Sequence, residues 1–314
     1  MDILTRYDHG IYAIDSGLVL PRMNAVHLIV EDGHAAIIDS ANNDSVPRVM
    51  AVLESLGIAP EQVDYVIATH VHLDHAGGVG QLLRRLPLAK LVVHPRGARH
   101  MTDPARLIAG TIEVYGPQAA AQMYGEILPV DPRRLIETQH GMELALSGRK
   151  LSFLDTPGHA RHHHCVVDGR SGHIFAGDTF GLSYRSWDRD GRCFVFPSTT
   201  PVQFDPPALH RSVDLLASYL PEAIYVTHYS QVTDVPRLTE DLHRLIDAHA
   251  AVALAARGAA DRQQRLAAGI TELAWREAER QGWMLQGEAL LSQLKWDVEL
   301  NAQGLGAWLD ATRQ

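Results

Sequence analysis

Val63-Asp64-Tyr65-Val66-Ile67-Ala68 runs directly into Thr69-His70-Val71-His72-Leu73-Asp74-His75-Ala76-Gly77-Gly78, and this stretch decides how the rest of the chain is read. The apolar run reads as a strand. Four potential metal ligands then fall within six positions. On extended backbone side chains alternate, so His70 and His72 share one face, while Asp74 and His75 in the following turn can aim elsewhere. Two ions could be served. Imidazole mixed with carboxylate suits Zn²⁺, Fe or Mn and is a usual mixture for hydrolytic sites. Gly77, Gly78 and Gly80 permit a sharp turn, after which Val79, Leu82, Leu83 and Leu86 resume helical spacing. The helix so predicted begins beside the ligands and would turn its N-terminal amides toward a bound hydroxide or substrate anion.

The rest of the composition sets bounds. With 314 residues, 46% of them apolar, the chain can bury a sizeable core without staples. A net charge of −9 argues against a broad basic surface, hence against nucleic acid or anionic membrane as partner. A small-molecule substrate is expected instead. Cys165 and Cys193 are too few for a disulfide framework, and both are expected as reduced thiols in a cytoplasmic protein. The opening Met1 to Gly10 lacks a basic start followed by an apolar run, which argues against a secretory signal. No apolar stretch reaches the roughly 18 residues of a membrane span.

Taken in order, residues 11–15, 24–30 and 35–39 read as short strands. Asp39 ends the last of them, where it either holds a metal-bound imidazole or caps the next helix. A helix over 44–56 is closed by Gly57 and Pro60. After a strand at 90–94, with His94 as a polar core or surface residue, residues 95–131 leave the strand and helix rhythm and form a helical insertion long enough for a lid. Arg96, Arg99 and Arg106 within it read as a solvated face. Short strands return over 135–167. Pro157 and Gly158 turn the chain so that His159 projects as a ligand candidate. Of the following histidines, His162 and His164 read as structural or surface residues and His163 is open. The strands Ile174 to Phe180 and Tyr225 to Tyr229 bring Asp178 and His228 to strand ends, where sheets place variable, functional loops. Tyr184, Trp187, Phe194 and Phe196 between them suit either a substrate wall or core packing. Helices are expected over 209–220 and 235–256, and a helical addition from 259 on, which could cover the site, mediate self-association into a homo-oligomer or pack on the sheet.

His70, His72, Asp74, His75, His159, Asp178 and His228 resemble, in type and order, the ligand set of the metallo-β-lactamase fold superfamily. The resemblance covers roughly residues 10–230. Its H-x-H-x-D-H, T-P-G-H and G-D-T segments are specific. It implies an α/β fold, a four-layer αβ/βα sandwich, with the catalytic domain over 1–256, the lid near 95–131 and a helical extension over 257–314. It also implies that His70, His72 and His159 bind one metal and Asp74, His75 and His228 a second, with Asp178 bridging. Two divalent ions, Zn²⁺ foremost and Fe or Mn compatible, would share a water whose hydroxide attacks a carbonyl, with Asp74 as the catalytic proton shuttle. His72, where oxygen-reducing diiron members carry Glu, favours hydrolysis. The chain thus resembles the glyoxalase II and lactonase branch rather than true β-lactamases, and a small ester, thioester or lactone is the expected substrate. The alternatives are a mononuclear iron enzyme resembling persulfide dioxygenases and a non-enzymatic metal or oxygen-binding protein.

Overall fold

The computed structural model describes residues 3–312, so Met1 and Asp2 of the opening stretch lie outside the described residues. Among the described residues thirteen strands are formed: β1 (Leu4–Arg6), β2 (Ile11–Asp15), β3 (Ala25–Glu31), β4 (His34–Ile38), β5 (Val63–Ala68), β6 (Lys90–Val93), β7 (Leu135–Glu137), β8 (Glu143–Leu146), β9 (Arg149–Asp155), β10 (His164–Asp168), β11 (Ile174–Gly177), β12 (Ile224–Val226) and β13 (Ser230–Val232). One sheet has the order β1-β2-β3-β4-β5-β6-β7 and the other β13-β12-β11-β10-β9-β8. The helices are α1 (Val46–Ser55), α2 (Leu73–Ala76), α3 (Val79–Arg85), α4 (Pro95–Thr102), α5 (Ala105–Tyr115), α6 (Pro117–Tyr124), α7 (Pro206–Ser218), α8 (Val235–Ala256), α9 (Arg262–Gln281), α10 (Gly287–Gln293) and α11 (Lys295–Ala311). The chain divides into two compact units. The first holds residues up to Asp155 with His162–Gly177 and Thr227–Ser230, and the second holds Thr156–Arg161, Asp178–Val226 and the chain from Gln231 on.

In the first unit β1 to β4 pair antiparallel and β4 to β7 parallel. Strand alternation divides the parallel strands into two apolar faces, as expected where both sides are covered. Leu28, Ile37, Val66 and Leu91 point into a core shared with Val49 and Leu53 of α1, Leu82 and Leu83 of α3 and Met101 of α4. These helices bury the positions whose spacing predicted them, and each Val or Leu so buried contributes about 1.5–3 kcal/mol. On the opposite face the Tyr65 hydroxyl donates to the Ala145 carbonyl of β8 at 3.1 Å, and the His27 ring meets Phe175 of β11 edge-on, 5.5 Å between centroids. Buried Arg149 ties the layers further. Its Nε donates to Asp168 Oδ1 at 2.6 Å and its Nη1 to the His9 carbonyl at 2.6 Å.

Register places the site. Ile38 of β4 lies beside Ile67 of β5, so both parallel strands end at the same edge. Asp39 continues from β4 with φ 59°, a left-handed conformation that Asp tolerates better than most side chains, and its N–H donates to the Ile67 carbonyl at 2.8 Å. Its carboxylate is thereby delivered to the start of the histidine turn. The insertion folds as α4, α5 and α6, where Arg96, Arg99 and Arg106 are exposed as expected.

In the second unit the aromatic loop is core. Trp187 stacks on Trp283 at 4.3 Å, and Phe194 and Phe196 lie 6.0 and 6.5 Å from the same indole. The Tyr184 hydroxyl donates to Asp297 of α11 at 3.2 Å. Among the described residues no helix is long and apolar enough to cross a membrane.

Candidate metal centre

The histidine turn is a compact constellation within the first unit. His70 Nε2 and His72 Nδ1 are 2.9 Å apart, and the His70 and His75 ring centroids 4.0 Å. Ligand atoms of Asp74, His75 and His228 lie within 4.8 Å of one another. The tautomers are set from behind. His75 Nδ1 is 2.8 Å from Asp39 Oδ2, and a carboxylate accepts only, so Nδ1 carries the proton and Nε2 a lone pair. His228 Nδ1 is 3.0 Å from the Met23 carbonyl, with the same consequence. Both Nε2 atoms then face Asp74 Oδ2, at 3.4 Å from His75 and 3.3 Å from His228. Two lone pairs converging on a carboxylate oxygen call for a cation among them. The donor set therefore fits a divalent metal.

Asp39 anchors this side. Besides His75 it accepts from the Thr69 N–H at 2.8 Å, the Thr69 hydroxyl at 3.0 Å and the Thr227 hydroxyl at 2.8 Å. With full burial and four donors it is a fixed anion. Of its two sequence readings, holding an imidazole is the one realised; the 3-10 turn before α1 is capped by Asn42, whose side chain accepts from the Ser45 N–H. Burial acts to raise the Asp74 carboxyl, but when both rings are protonated the charge of His75 and the hydrogen bonds from His228 and His75 outweigh it and hold it well below the usual carboxylate range.

The other two candidates lie in the second unit, where they meet. His159 Nε2 is 3.5 Å from Asp178 Oδ2, and both side chains are buried. His159 Nδ1 lies 3.1 Å from the Ser198 carbonyl, which in the neutral ring leaves the lone pair on Nε2. The Ser198 hydroxyl donates to Asp178 Oδ2 at 3.1 Å. Ser198 thus orients both. Its loop is held by buried Asn301 of α11, which accepts from the Thr199 N–H at 2.7 Å and donates to the Pro197 carbonyl at 3.0 Å. A Cβ on Gly304 would stand 1.6 Å from the Thr199 carbonyl oxygen, so the helix reaches this loop only because residue 304 lacks one. Behind His159, the Asp205 N–H donates to the Gly158 carbonyl at 2.8 Å and the Ser212 hydroxyl of α7 to the Pro157 carbonyl at 2.6 Å.

His162, read as structural or surface, is buried, its ring stacked 6.1 Å from that of His70 and edge-on to His72 at 5.5 Å. His163, left open, is buried with its ring 4.9 Å from His70. It fits there because Gly177, at φ 48°, has no Cβ; one would come within 2.6 Å of His163 Nε2. His164 is structural as expected, its Nδ1 2.9 Å from the Thr138 hydroxyl. His94 caps α4, accepting from the Arg96 N–H at 3.1 Å. The strand expected to carry His228 stops at Val226, leaving Thr227 to reach Asp39 and His228 to turn toward Asp74. Thr69, Thr227, Ser198 and Asn301 were not singled out from sequence, where only the T-H pairs Thr69-His70 and Thr227-His228 hint at two of them.

A family model described as the metallo-beta-lactamase superfamily matches residues 19–228, more than half of the chain. The chain belongs to the metallo-beta-lactamase superfamily. A metallo-beta-lactamase fold-containing protein of Sulfurisphaera tokodaii is 26% identical over 62% of this chain and 68% of the relative. A hydroxyacylglutathione hydrolase of Xanthomonas euvesicatoria is 30% identical over 57% of this chain, a match that spans 51% of that relative's length. The crystal structure of an archaeal metallo-beta-lactamase superfamily protein from Sulfolobus tokodaii superposes with a TM-score of 0.65 at 22% identity, covering 96% of this chain and 99% of that one. The superfamily fold is the αβ/βα sandwich that the ligand pattern implied, here with the α4 to α6 insertion and C-terminal helices α9 to α11.

Proposed function

We propose that the protein is a metal-dependent hydrolase of a small carboxylic ester, thioester or lactone. In this reading His70, His72 and His159 hold one divalent ion, Asp74, His75 and His228 hold a second, and Asp178 is shared; Zn²⁺ is the ion we assign. The observation that carries the reading is the pair of fixed tautomers, His75 and His228, whose Nε2 lone pairs both face Asp74. When bound, such ions lower the pKa of a shared water toward neutrality and polarise the acyl carbonyl. Asp74, charged at neutral pH, takes the proton of the attacking water and passes it to the leaving oxygen or sulfur. Asp39 and Met23 keep the imidazoles aimed, so no reorientation is needed during turnover. Next to Asp74, Leu73 packs with Tyr124 and Ile127, flanked by Leu107, Ile108 and Met123 of the insertion. This apolar wall excludes water and receives the acyl group of the substrate. The relatives named as hydroxyacylglutathione hydrolases support a thioester among the candidate bonds. The two buried thiols, Cys165 and Cys193, suit a reducing cytoplasm.

The test joins elemental analysis of the purified protein to a panel of glutathione thioesters, lactones and aryl esters. At least two divalent ions per chain, with turnover lost on chelation and in Asp74→Ala, are expected. One iron per chain with thiol-dependent oxygen uptake would overturn the reading. So would inactivity across the panel with both metals bound.

A further inference from the structure

Away from this centre, α7 and α8 each carry a histidine and an aspartate one turn apart: His210-Arg211-Ser212-Val213-Asp214 and His243-Arg244-Leu245-Ile246-Asp247. Residues four apart share a helix face. The two helices pack together in the second unit, and each histidine reaches the other helix's carboxylate. His210 Nε2 is 2.9 Å from Asp247 Oδ1, and His243 Nε2 is 2.9 Å from Asp214 Oδ1. The rings are stacked 13° from parallel, and their Nδ1 atoms face each other at 2.6 Å.

Hydrogen-bond inventory makes this arrangement informative. A carboxylate accepts only, so each Nε2 carries a proton, and each neutral ring then has its lone pair on Nδ1. Two lone pairs 2.6 Å apart repel unless a cation sits with them. We propose that His210 and His243 form a second metal site, a bis-histidine clamp for a divalent transition ion of the Zn²⁺, Ni²⁺ or Cu²⁺ class, with Asp214 and Asp247 orienting the imidazoles. Carboxylate backing of a metal-bound histidine is the usual way its tautomer and basicity are set. Two nitrogens at tetrahedral Zn–N bond lengths lie roughly 3.3 Å apart, an opening of about 0.7 Å from the present separation. Both side chains are only 26% exposed, yet sit where water can complete the coordination shell. The clamp would tie α7 to α8.

The experiment starts from the full-length protein loaded with two equivalents of Zn²⁺, to which one equivalent of Cu²⁺ is added and followed by electron paramagnetic resonance. Nitrogen couplings from two imidazoles are expected, together with a rise of several degrees in Tm on adding excess Zn²⁺. His210→Gln and His243→Gln should each abolish both signals and bind one fewer Zn²⁺ per chain on dialysis, with hydrolytic turnover unchanged. Asp247→Asn, which keeps both ligands, should weaken binding about tenfold. Equal metal content in wild type and both histidine variants would overturn the proposal and leave the pair holding only a shared proton. So would a copper spectrum that survives in either variant.

Discussion

The His70–His75 turn and the His159–Asp178 pair are held by opposite strategies. The turn is fixed locally, by parallel strands β4 and β5 that end in register and by a buried carboxylate one residue past β4. The pair is fixed from far along the chain, by Ser198 and, behind it, Asn301, some hundred positions from the residues it holds. Ligands built into strand ends tolerate change elsewhere. Ligands propped by a distant helix depend on that helix keeping its place.

Substitutions at the two ends of this contrast should differ in size. Asp74→Ala removes both a proposed ligand and the proton carrier, so turnover should fall by about 10²–10⁴-fold while circular dichroism and Tm stay near wild type. Preserved turnover in metal-replete protein would remove Asp74 from the chemistry. Asp39→Asn keeps the shape but weakens the grip on His75; a loss of about 10–100-fold in metal affinity or activity is expected, read by competition with a chelator. Asn301→Ala deletes contacts to Pro197 and Thr199 and should cost about tenfold in kcat/KM, with metal lost first from the site proposed for His159. If Asn301→Ala proved as damaging as Asp74→Ala, the distinction between local and remote support would fail.

The smallest effect concerns acid stability. Burial pushes His249 of α8 down to about 4, and burial together with the charge of His94 pushes His164 of β10 to about 3. Each is neutral when folded, whereas the unfolded chain binds a proton near pH 6.5. Their stabilising contribution is therefore complete above pH 6.5 and lost as pH falls, by about 1.4 kcal/mol per pH unit per histidine, until the folded pKa is passed. His249→Leu should lower the pH dependence of denaturant unfolding between pH 6.5 and 4 by one proton. An unchanged slope would mean that His249 titrates normally in the folded protein.

What was legible follows from range. Six contiguous positions with four candidate ligands announce themselves, and His159, Asp178 and His228 could be read as candidates because each follows an apolar strand. Individual strands and helices were visible in apolar alternation and in helical spacing such as Val235–Ala256, whereas the sandwich itself came from the resemblance of the ligand set. Asp39 was half visible: its place at a strand end was plain, but its choice between cap and anchor depended on Thr69 and Thr227 arriving from two other segments. Ser198 and Asn301 leave no periodic trace, since one side-chain bond to a backbone atom needs neither pattern nor neighbour. The His210 and His243 pair did leave one, a histidine and an aspartate four apart on two consecutive helices, visible only once those helices are known to pack.

Gly304 turns a missing methyl into a gauge. The clearance between α11 and Thr199 is set by what residue 304 does not have, so Gly304→Ala would push on the Ser198 loop without altering any metal-binding atom. Variation at one inconspicuous helix position could in this way retune affinity or metal preference, and a search for altered selectivity could begin there, remote in sequence from every histidine of the centre.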